Sequence, residues 1–103
     1  MAAAYTVFLA AEAAAEVSAI VTWWRKNRPA APRLFQDELK QALLNVAAHP
    51  SIGARAKMRG YPDVRAVVLR KSGYVVFYDV DDGAAEIHIV RVRHGRRRPL
   101  KRR

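Results

Sequence analysis

Residues 64–94, VRAVVLRKSGYVVFYDVDDGAAEIHIVRVRH, decide the fold of this chain. The stretch divides into three β-branched and aromatic segments, Val64–Arg70, Tyr74–Val80 and Ala85–His94, parted by Lys71-Ser72-Gly73 and Asp81-Asp82-Gly83. Such side chains fit a pleated, half-buried surface, and the two short links ending in glycine suit hairpins. Three consecutive antiparallel strands are therefore predicted. The middle segment is apolar on both faces, which places it centrally in the sheet.

Working upstream, Ser51–Asp63 (SIGARAKMRGYPD) carries Gly53, Gly60 and Pro62 with little periodicity and reads as a connecting loop. Before it, Phe35, Leu39, Ala42, Leu43 and Val46 share one face of a helix that stops near Ala48. Pro50 ends that helix by pushing His49 out of the α region. An earlier helix begins at Ala11, with Val17, Ile20, Val21 and Trp24 forming its apolar stripe. Glu12 and Glu16 in its first turns and Arg25 and Lys26 in its last suit the macrodipole. Asn27–Ala31 (NRPAA) separates the two helices by too few residues for anything but an antiparallel hairpin. Tyr5–Leu9 (YTVFL) reads as a first strand. The expected fold class is α+β: an N-terminal strand and an antiparallel helical hairpin packed on one face of a mainly antiparallel four-stranded sheet. The opposite, concave face is expected to be open.

A length of 103 residues suits a single domain, assigned to residues 1–99 with a basic tail at 100–103. The hydrophobic share of 51% is too high for a disordered chain, and the 27% of charged residues argues against a membrane protein. The alanine-rich start lacks the basic segment of a signal peptide, and no apolar run approaches the roughly 18 residues that span a bilayer. A cytoplasmic protein is expected. With no cysteine, thiolate chemistry and disulfides are excluded. The net charge of +10 is uneven: residues 1–50 carry five basic and four acidic side chains, residues 51–103 fourteen and five. Such a field favours nucleic acid, an acidic protein or an anionic surface.

The histidines are His49, His88 and His94; only the last two are expected to share a strand face, too far apart to chelate one ion. No metal or other cofactor is expected. A phosphodiester-cleaving site would need a base, an acid and cations. The candidates are Arg65, Arg91, Arg93, His94, Arg96 and Arg97, with Tyr74 and Tyr78 on the neighbouring strand. His94 is the group whose ordinary pKa suits a base near neutrality; otherwise it ends a strand with a hydrogen bond. Tyr74, Tyr78, Phe77 and Trp24 suit a core, whereas Trp23 lies beside the helical stripe and suits a core edge or a protein interface.

Taken in order, these pieces resemble the toxins of bacterial type II toxin-antitoxin modules, the RelE/ParE superfamily, from Tyr5 to about Pro99. The resemblance rests on the alanine-rich first helix with its acidic start, on Phe35, Leu39 and His49-Pro50 followed by Gly53, on RGYPDVRAVVLRKSGYVVFYDV (59–80) and on IHIVRVRHGRR (87–97). It implies the fold inferred above, and a cognate antitoxin encoded in the same operon. RelE-like members resemble ribosome-dependent mRNA endonucleases with strand-borne cations and a C-terminal tyrosine. The corresponding positions here are Ala66, Val68 and Val75, and no tyrosine follows His94; an arginine just past the last strand has its counterpart near Arg96 or Arg97. The chain therefore looks more like the ParE branch, associated with DNA gyrase and with plasmid stabilization. On that reading Arg65, Arg91, Arg93, His94, Arg96 and Arg97 meet the target, and Trp23, Trp24, Phe35, Tyr74 and Tyr78 meet the antitoxin. The alternative is cleavage of mRNA on the ribosome by His94, Arg65 and Arg96.

Overall fold

A computed structural model describes residues 4–95. Arg96, Arg97 and the tail at 100–103 lie outside the described residues. The chain runs β1 (Thr6–Leu9), α1 (Ala11–Asn27), α2 (Leu34–Ala48), a 3-10 turn (Pro50–Ile52), β2 (Ala54–Arg55), β3 (Arg65–Leu69), β4 (Tyr74–Asp81) and β5 (Glu86–His94). The strands form one sheet in the order β1-β5-β4-β3-β2. Among the described residues only β1 pairs in parallel, with β5; the other pairs are antiparallel. The sheet has one strand more than expected. β2, paired through Ala54 with Ala66 and Arg55 with Arg65, lies in the segment read as loop, because two residues leave no periodic signature.

The helical hairpin covers one face. Ala13, Ile20 and Trp24 of α1 and Phe35, Leu39 and Val46 of α2 pack with Leu69, Val76, Tyr78, Ile87, Ile89 and Val92 of the sheet. Each large side chain fully buried here contributes about 1.5–3 kcal/mol relative to exposure. The opposite face is not open as expected. Residues 56–64 fold back across it, and Ala56, Met58 and Tyr61 pack on Val64, Val75, Phe77 and Val90 as a second, smaller core. This explains why β4 is apolar on both sides: each side has its own cover.

Along β4 the faces alternate regularly, but Phe77 lies opposite Arg91 while Tyr78 lies opposite Ile89. β5 therefore carries one extra residue, a bulge that reverses the alternation beyond it. This corrects the expectation that His88 and His94 share a face. His88 stacks on Phe8, with ring centroids 5.4 Å apart. His94 meets Tyr74 edge-on at 5.1 Å on the helix-covered face.

The link from α2 to the sheet is fixed by Tyr78. Its hydroxyl donates to the Pro50 carbonyl at 2.7 Å and accepts from the Gly53 N–H at 2.8 Å. A Cβ at Gly53 would lie 2.6 Å from that oxygen, so the position has room for glycine only. Burial pushes the Tyr78 phenol up, against the smaller opposing effects of the Gly53 N–H and the Arg65 charge.

Candidate functional site

The predicted cations have different fates. Arg65 starts β3 and donates to the Gly53 carbonyl at 2.7 Å and the Ser51 carbonyl at 3.3 Å, fastening the same link as Tyr78. Arg91 donates to the Glu16 carboxylate through Nε at 3.0 Å and Nη2 at 2.7 Å, and the other carboxylate oxygen accepts the Val92 N–H at 2.8 Å. The cause is topological. β1 stops after pairing Leu9 with Ile89, so the outer edge of β5 is uncovered beyond that point. Glu16 of α1 satisfies an N–H there that a longer β1 would have taken. The hydrogen bond to Glu16 raises the Arg91 pKa further, burial opposing it.

The five residues expected at an antitoxin contact also divide. Phe35 and Tyr78 are fully buried in the main core, so their side chains offer no surface to a partner, whereas Trp24, in the same core, keeps a small exposed edge. Tyr74 is half-buried, edge-on to both Phe35 and His94. Trp23 remains 43% exposed, with the Arg28 guanidinium carbon 5.5 Å from its ring centroid.

Two surface depressions flank α1. The larger, about 960 Å³, lies between the second half of α1 and the ends of β4 and β5. Trp23, Trp24, Arg28, Lys71, Arg93 and His94 are among its lining residues. The β3–β4 turn beneath it is held by Glu38, whose carboxylate accepts the backbone N–H groups of Lys71 and Ser72 at 2.8 and 2.9 Å. The smaller depression, about 520 Å³, is an apolar groove over the helical hairpin, with Val17, Val21, Leu39, Leu43 and Leu44 among its lining residues. Sequence reading found Arg93, His94, Trp23 and Trp24 but missed Arg28 and Lys71. These stand at element ends that only the tertiary fold brings together.

On the other side of the sheet, Ala66, Val68 and Val75 form an apolar strip. Val75 is 3% exposed in the second core, Ala66 is packed beside it, and Val68 is 58% exposed. Among the described residues no group of three His, Asp or Glu side chains could hold a metal ion, and no helix is long and apolar enough to cross a membrane. Asp79 sits on this side, its carboxyl raised above the usual range by burial and then by Asp63, with His88 opposing.

A helical hairpin on a mainly antiparallel sheet, with the first strand parallel to the last, defines the RelE-like toxin architecture. The family described as ParE toxin of type II toxin-antitoxin system, parDE, matches residues 7–99, and the chain belongs to it. That family lies within the RelE/ParE superfamily of type II toxin-antitoxin systems. It is 37% identical over 57 residues to the mRNA interferase toxin RelE of Escherichia coli K12, a match covering 55% of this chain and 59% of that protein. The chain thus spans rather more than half the length of that curated relative. The isolated E. coli RelE toxin superposes with a TM-score of 0.61 at 30% identity, covering 92% of this chain and 88% of that one. A chain of the intact E. coli RelBE toxin-antitoxin complex gives 0.59 at 31% identity, covering 87% and 95%.

Proposed function

We propose that this toxin arrests growth by binding a DNA-processing enzyme such as DNA gyrase, and that a cognate antitoxin encoded in the same operon neutralises it. The observation that carries this reading is the apolar strip of Ala66, Val68 and Val75, where RNA-cleaving relatives are expected to place cations. A pentacoordinate phosphate there would forgo about 3 kcal/mol for each missing donor, and alanine and valine supply none. The neutralising segment lies over the helical hairpin, where the apolar groove beside Leu44 offers burial. The purified toxin is expected to inhibit gyrase supercoiling and to leave ribosome-bound mRNA intact.

A second reading, ribosome-dependent mRNA cleavage, is favoured by the 37% identity to an mRNA interferase. It would use His94 with Arg65 and Arg96, and His94→Ala would then lower cleavage by about 10²-fold or more. One preparation assayed both ways separates the two. Normal supercoiling at saturating toxin, together with cut mRNA, overturns the first reading.

A further inference from the structure

We propose that the groove between α1 and the β4–β5 ends is a docking site for an acidic peptide segment carrying one apolar anchor, and that this segment belongs to the antitoxin. The inference rests on the reading of the chain as an antitoxin-held toxin and locates a contact apart from the apolar hairpin groove. Three cationic residues from three separate elements converge on it: Arg28 just past α1, Lys71 in the β3–β4 turn and Arg93 on β5. One carboxylate lines the same groove, Glu16, and it is already committed to Arg91 and the Val92 N–H. Among the described residues, the groove lining therefore carries more cationic than anionic side chains. An acidic partner is the complementary occupant.

The aromatic content points the same way. Trp23 is exposed at the rim, with Arg28 near its ring, and Trp24 forms part of the buried wall. A large flat side chain beside three cations provides a resting place for an apolar residue flanked by carboxylates, the arrangement that tryptophan and arginine give at protein interfaces. A single-stranded nucleic acid would instead seek successive exposed rings on which to stack. Here Trp24 and Tyr74 are committed to the core and its margin, leaving Trp23 as the one broadly exposed ring among the lining residues.

The test follows Trp fluorescence of the whole chain during titration with a 12-residue peptide of Glu and Ser around a single central Leu, and separately with a 12-nucleotide oligo-dT. The peptide is expected to shift the emission. Trp23→Phe should remove the shift, and R28E combined with K71E should weaken binding at least tenfold without altering the circular dichroism. Raising the salt from 50 to 500 mM should weaken it further, since the charges are at the surface. No shift with the peptide, or a shift unaffected by the double reversal, overturns the proposal. A saturable shift with oligo-dT alone would reassign the groove to nucleic acid and overturn it equally. The growth-arrest and supercoiling assays are independent of this titration, so failure of the toxin reading and failure of the groove proposal are read separately.

Discussion

Glu16→Ala tests the tie between α1 and the end of β5. The substitution removes three hydrogen bonds, two from the Arg91 guanidinium and one from the Val92 N–H. It also leaves the Arg91 charge without its partner. The two side chains are 29% and 23% exposed, so water recovers part of the loss. Hydrogen bonds to charged groups are worth about 1.5–3 kcal/mol each, and with that recovery the total cost is about 2–4 kcal/mol. At about 5 °C for each kcal/mol in a domain of this size, Tm should fall by about 10–20 °C. Arg91→Ala should cost less, because Glu16 keeps the Val92 N–H and an accessible carboxylate. The double variant should show a coupling of about 1–3 kcal/mol, obtained from urea unfolding at low and high salt. A fall below about 3 °C for Glu16→Ala, or additivity of the two variants within about 0.5 kcal/mol, would make the pair an ordinary surface ion pair and refute the reasoning.

Tyr78→Phe strands the Gly53 N–H and the Pro50 carbonyl without creating a cavity, and should cost about 1–3 kcal/mol in urea unfolding; a neutral result would mean that the link holds without the hydroxyl. Val75→Arg buries a charge in the second core and should destabilise by about 3 kcal/mol or more, whereas the exposed Val68→Lys should stay within about 0.5 kcal/mol; equal effects would contradict the burial. Asp79 has a raised carboxyl pKa in the folded state, so its contribution to stability is fullest below its ordinary value of 3.8 and declines as pH rises through the raised one. Asp79→Asn should therefore be more stable than the parent at pH 7, with the advantage vanishing below 3.8; a thermal-melt difference constant across pH would sink this assignment.

The regular elements were legible because their signals are local. The alternation from Tyr74 onward, the four-residue spacing through Ile20 and Trp24, and the stop at His49-Pro50 each depend on neighbours in sequence. What the sequence hid depends on distant partners. The Glu16–Arg91 pair spans 75 residues, and nothing around either residue announces the other. The bulge that separates His88 from His94 arises from the register against β4. The cover over the second core comes from a segment too irregular to show a period. Arg65 and Arg91 looked like free cations because a list of residues does not show which charges the fold itself uses.

The position of β5 also sets the order in which the molecule can be completed. β5 lies between β1 and β4, and Thr6 of β1 pairs with Glu86, 80 residues further along the chain. During synthesis at about 5–20 residues per second, the first strand waits roughly 4–16 s before its neighbour exists. The hairpin can form early, but its apolar stripe has no finished sheet to cover until the last strand arrives. The groove beside Trp23 needs the same strand, since Arg93 and His94 line it. A growing chain therefore has no complete groove before β5 has emerged, however early its helices form.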